Sequence, residues 1–176
     1  MTAIGDMTQE LLSCLDLALQ DGPNPPPDGN ICLRVGTVSY DIGRAQDLCC
    51  EGFAWVRIVR VYPSERFPNQ DREPHDCVQS ARAIDFEMGV VRCLPFGSAD
   101  AGPSCDQWAE VFLQVEEDRA SMARALCCFG DGLEAWQQFL ENEWVPIDGQ
   151  GGCIGGTMTL TAQTDCDTCT DGGVTP

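Results

Sequence analysis

The chain has 176 residues, a net charge of −18 and no lysine; its basic residues are ten arginines. That length is enough for one domain with its own core. Scattered arginines in so acidic a chain exclude stable binding to a nucleic-acid backbone and disfavour an anionic membrane, and no apolar run approaches the roughly 18 residues of a bilayer span.

The N-terminal stretch MTAIGDMTQELLSCLDLALQD is acidic and amphipathic. A secretory leader would begin basic and turn apolar, so export by that route is not expected. Leu11, Leu12, Leu15, Leu17, Ala18 and Leu19 predict a helix over Thr8–Gln20. DGPNPPPDG then ends it, because proline removes donors and fixes φ. Residues Ile31–Tyr40 alternate as a strand, and Phe53–Tyr62 does so more strongly. Trp55, Arg57, Val59 and Val61 share one face of the second segment; Val56, Ile58, Arg60 and Tyr62 share the other. Both faces are mostly apolar, which predicts a central strand with each arginine near an edge or a partner. Pro63, Pro68 and Pro74 mark an exposed loop over Pro63–Cys77.

Ala81–Cys93 alternates Ile84, Phe86, Met88 and Val90 against Asp85, Glu87, Gly89 and Val91, a strand with one buried and one more polar face. After a loop over Pro95–Pro103, Ser104 is placed to cap a helix running to about Phe129. Its apolar stripe is Trp108, Val111, Phe112, Val115, Met122 and Leu126. Leu133–Asn142 has the spacing of a shorter helix, Trp144–Ile147 of a short strand, and Thr157–Thr161 of a final strand. The order predicts an α+β domain: an antiparallel or mixed sheet of about four strands with helices packed on one face. Residues 1–162 form this single domain, and 163–176 read as a flexible acidic tail.

The residue types needed for catalysis are thinly supplied. The one histidine, His75, lies in EPHDC and reads as a solvated loop residue. Cys166 and Cys169 have the spacing of one zinc pair, but the remaining pairs, Cys49–Cys50 and Cys127–Cys128, are adjacent residues, which rarely share one tetrahedral ion. Acids beside Cys166 and Cys169 also raise thiol pKa and blunt redox reactivity. GQGGCIGG, residues 149–156, is followed by strand-like TMTLTA rather than a helix, so it reads as a close-packed hairpin and not a phosphate loop. No pair of carboxylates stands out from the acidic background. With twelve cysteines and no leader, most are expected as reduced core residues, with one or two bridges. No catalytic residue, metal or cofactor is assigned.

Three stretches carry a resemblance: LCCEGFAWVRIVRVYPSERFP, FEMGVVRCLP and VPIDGQGGCIGGTMTLTA. They resemble head-to-tail connection and tail-completion proteins of long-tailed phages of actinobacteria, over roughly residues 30–162. The element order is similar to that of a tail terminator. The resemblance implies a homohexameric ring that caps the tail tube, ends its polymerisation and joins it to the head connector. Its partners would be further copies of the chain, the major tail tube protein and a connector or stopper protein. Genomic double-stranded DNA would pass through the lumen without specific binding. The ring would be built in the host cytoplasm and end in the virion neck, with no membrane involved. The alternatives are a stopper or adaptor ring of the same neck, and a small cysteine-based metal or redox protein. On this reading Leu48–Tyr62 is a turn and central strand, Cys49, Cys50 and Trp55 are packing residues, and Pro63–Cys77 is a ring-contact arm. Arg57, Arg60, Arg66 and Arg92 are the candidates for subunit-interface pairing.

Overall fold

The computed structural model describes residues 3–36, 50–71, 81–95, 97, 102–150 and 152–164. The elements in chain order are α1 (Ala3–Gln20), β1 (Ile31–Arg34), β2 (Phe53–Pro63), β3 (Arg82–Cys93), α2 (Cys105–Gly132), β4 (Phe139–Gln150) and β5 (Cys153–Thr164). The strands form one sheet in the order β1-β2-β3-β5-β4. β1 runs parallel to β2, and the other pairings are antiparallel. The α+β class therefore stands, with five strands rather than about four. The centre of the sheet is β3, with β2 beside it and β1 covering only Ala54–Arg57.

Both helices pack on one face, set by alternation along the strands. Ala54 and Val56 of β2, Ile84, Phe86, Met88 and Val90 of β3, and Met158, Leu160 and Ala162 of β5 point into a core with Leu11, Leu15 and Leu19 of α1. Met122, Leu126 and Phe129 of α2 complete it. Burying each large side chain here stabilises the fold by roughly 1.5–3 kcal/mol. α1 lies antiparallel on the C-terminal half of α2: Cys14 is disulfide-bonded to Cys128, Glu10 stands at Gly132 and Gly22 at Ser121. The helices differ in length, about 27 Å against 42 Å at 1.5 Å per residue, so the N-terminal half of α2 extends past α1.

The expected start of α2 is found, and Gln107 completes it. The Gln107 amide donates to Ser104 Oγ at 3.3 Å, and the Ser104 amide donates to Gln107 Oε1 at 2.8 Å. The helix expected over Leu133–Asn142 is not formed. α2 ends at Gly132, and β4 begins at Phe139, already paired with Ala162 of β5. Phe139 enters the core edge-on to Phe129 at 5.9 Å, while Leu140 faces outward. Sheet pairing along a twelve-residue strand outweighs helical spacing over so short a run. The short strand expected at Trp144–Ile147 is the middle of β4, and the last strand runs to Thr164, two residues past the expected domain boundary. The remainder of the expected tail, 165–176, lies outside the described residues, as do the second half of the first predicted strand and the end of the Pro63–Cys77 loop.

Gly149 and Gln150 end β4, and Cys153–Gly156 open β5 as its hairpin partner, as the sequence context predicts. A Cβ at Gly155 would strike the Val90 carbonyl oxygen, so only glycine lets β5 approach β3 there.

Candidate functional site

Two opposed ion pairs cross the sheet on the face away from the helices. Arg57 of β2 stands opposite Glu87 of β3 and donates to both its carboxylate oxygens, each at 2.7 Å. Trp55 Nε1 donates to the same carboxylate at 3.1 Å, and Arg57 Nη1 to the Gly36 carbonyl at 3.2 Å. Desolvation pulls the Glu87 pKa up, but the hydrogen bonds from Arg57 and Trp55 and the Arg57 charge outweigh it and hold the carboxyl below its ordinary value. Beyond a register shift between Ile58 and Arg60, Arg60 stands opposite Asp85 and donates to it. Asp85 also accepts from Thr161 of β5 at 2.7 Å, and Thr161 accepts from Asn142 of β4 at 3.1 Å. One chain of polar contacts thus joins four strands. Tyr62 closes it with bonds to Asp85 and to the Pro68 carbonyl, and burial together with the Asp85 charge pushes its phenol pKa up.

Arg92 belongs to the helix face. It donates from Nε and Nη2 to the two oxygens of Asp118 on α2, at 2.8 and 2.6 Å, with both side chains under 10% exposed. Burial outweighs the hydrogen bonds and charge of Arg92 and pushes the Asp118 carboxyl up. Gly52, in left-handed backbone at φ 92°, leaves room for the Arg92 guanidinium, which a Cβ would strike. Of the four candidate interface arginines, then, Arg92 ties β3 to α2 inside the chain, and Arg57 and Arg60 bind acids of the neighbouring strand. Arg66 is exposed in the loop after β2 and has no carboxylate partner among the described residues. The sequence placed Asp85 and Glu87 on the more polar face of β3; antiparallel pairing with β2 is the step that brings them to the arginines. Nothing in the local pattern of α2 marks Asp118.

The cysteines correct the expectation that most are reduced. Five of the eight described are bonded: Cys14 with Cys128, Cys50 with Cys93, and Cys153. Cys50 therefore cross-links the segment just before β2 to the end of β3, and is not merely a packing residue. Cys32 on β1 and Cys105 and Cys127 at opposite ends of α2 are free thiols. Trp55 is a packing residue as expected, fully buried and stacked on Phe53 at 5.7 Å. His75, Cys49, Cys166 and Cys169 lie outside the described residues.

A groove of about 430 Å³ opens between the N-terminal half of α2 and the β4–β5 hairpin. Trp108, Val111 and Phe112 form one wall, and Trp144, Ile147 and Ile154 the other, with Glu116 and Asp148 among its few polar groups. The sequence stripe through Trp108 and Phe112 reads as core, yet Phe112 is 62% exposed. The missing signal was length: α2 is longer than α1, which packs along it, and part of its stripe is left bare. Among the described residues no group of three or more His, Cys, Asp or Glu side chains is arranged to hold a metal, and no helix is long and apolar enough to cross a membrane.

No protein-family model matches the chain, and no curated protein sequence matches it.

Proposed function

We propose that the chain is a structural protein of a phage neck, most like a tail terminator: a ring that caps the tail tube, ends its growth and offers a docking face to the head connector. The observation that carries this reading is spatial. The three stretches that bear the resemblance are far apart in sequence, yet they fold as four adjacent strands, β2, β3, β5 and β4. The residues that carry the resemblance are thus one continuous piece of architecture. Gly52, Trp55, Arg92 and Gly155 within them have packing roles set out above, in keeping with a function performed by shape rather than by turnover. The net charge of −18 suits a bore through which DNA slides without sticking. The reading assigns no catalysis, cofactor or metal.

Removal of the chain from an infection tests it. The terminator reading predicts tails of uncontrolled length, unattached to full heads, and antibody label on intact virions at the capsid–tail junction. Tails of normal length with leaking, unattached heads would instead favour a stopper or adaptor ring of the same neck. Normal infectious particles lacking the chain would overturn both.

A further inference from the structure

The short segment before β2 is fastened at two points, and what it covers is the buried Arg92–Asp118 pair. Cys50 is disulfide-bonded to Cys93, the residue that follows Arg92 at the end of β3. Gly52 lies against the Arg92 guanidinium: a Cβ there would strike Nη1 and stand 3.3 Å from Cζ and 3.4 Å from Pro26 Cα. Asn30 Nδ2 donates to the Gly52 carbonyl at 3.1 Å, and the Ala54 amide donates to the Asn30 carbonyl at 2.9 Å. With this segment in place Arg92 is 4% exposed and Asp118 5%. The disulfide thus ties down backbone that touches one half of the ion pair joining β3 to α2.

The cross-links differ in access. Cys50 is exposed and Cys93 half-buried, whereas Cys14 is 2% exposed and Cys153 1%. Exchange requires a thiolate to reach a disulfide sulfur, so a small thiol meets Cys50 before the others. We propose that the Cys50–Cys93 bond is a redox clasp: cut by a small thiol, it frees the Cys50–Gly52 segment, admits water to the Arg92–Asp118 pair and loosens the N-terminal half of α2 from the sheet. The reductant thiolate attacks Cys50 Sγ, the S–S bond breaks and Cys93 leaves as thiolate. A second reductant thiolate attacks the reductant's sulfur in the mixed disulfide and releases Cys50 as thiolate. Two small thiols become one small disulfide, and their protons pass through water to Cys50 and Cys93. Water weakens the pair because the attraction of Arg92 for Asp118 is strong only where the surroundings are dry. The rest of the fold does not need the clasp. A chain of this length buries a core without staples, and Cys14–Cys128 still holds α1 to the C-terminal half of α2. The clasp stands on the chain's own geometry and is independent of the ring reading.

Hydrogen exchange in the full chain tests it. Limited treatment with glutathione, followed by alkylation and mass mapping, is expected to open Cys50–Cys93 while Cys14–Cys128 stays closed. In that sample the Arg92 Nε proton and the α2 amides of residues 111–118 are expected to exchange faster. The increase should be roughly ten- to a hundredfold, the weight of one hydrogen bond to a charged group. The amides of Phe86 and Met88, in the centre of β3, should keep their rates. Cys50→Ser with Cys93→Ser should exchange fast with or without glutathione. Both are replaced because Cys93 is in register with Cys153, itself bonded, and a lone Cys93 thiol could exchange with it. In Arg92→Leu with Asp118→Leu, opening the same disulfide should leave exchange in α2 unchanged, since no buried charges remain to hydrate. A cross-link acting only as a staple would still speed it, and that result would overturn the clasp. So would opening of Cys14–Cys128 at the same rate, an Arg92 Nε proton that stays protected once Cys50–Cys93 is open, or equal acceleration at Phe86 and Met88.

Discussion

The two halves of α2 follow one helical stripe and meet different surroundings. In the C-terminal half, Met122, Leu126 and Phe129 are buried under α1 and against the sheet, and Cys128 is cross-linked to Cys14. In the N-terminal half, Trp108, Phe112 and Leu113 are exposed, and the β4–β5 hairpin faces Trp108 and Phe112 across the groove. Apolar pattern alone therefore does not distinguish a residue that holds the fold from one left exposed. Coverage decides, and coverage here is set by the length of α1. Asp118, gripped by Arg92, marks the boundary between the halves.

Substitutions should separate the two halves by their effect on stability. The largest effect is expected at the boundary: Arg92→Ala leaves Asp118 buried and unpaired and should cost about 3–5 kcal/mol in chemical denaturation. The double change Arg92→Leu with Asp118→Leu should recover most of that loss, since two apolar groups replace the pair. Phe129→Ala should cost about 3–5 kcal/mol by emptying the core between Phe86 and Phe139. Replacing Cys14 and Cys128 by serine frees α1 from α2 and should cost about 2–4 kcal/mol.

Smaller effects are expected on the open face and in the N-terminal half of α2. Glu87→Gln should cost about 1–2 kcal/mol at neutral pH, allowing for partial exposure. Because the Glu87 pKa is lowered in the folded chain, its contribution is full above the ordinary glutamate value of about 4.3. It is lost as pH falls through the depressed folded value, so wild-type and variant stabilities should converge there. The smallest change is expected from Phe112→Ser: within about 0.5 kcal/mol in stability. A cost like that of Phe129→Ala would erase the distinction between the halves.

Much of this was legible in the sequence. Period-two alternation located β2 and β3, since those strands bury alternate residues against helices. Ser104 located the start of α2, because its cap is local chemistry. The Gly-rich stretch at 149–156 was legible as a hairpin from the strand-like residues after it. What was not legible depends on partners remote in sequence. The strand at Phe139 exists because β5 pairs with it, and Leu133, Trp136 and Phe139 mimic helical spacing. The Arg92–Asp118 pair joins residues on separate elements, and Cys14 meets Cys128 across 114 positions. The groove was read as core because a stripe does not reveal how far its cover extends.

Imaging of the purified wild-type chain tests the central claim most directly, because that claim is that identical copies close into a ring. Closed rings of uniform diameter are the predicted result. Single chains at every concentration would contradict it.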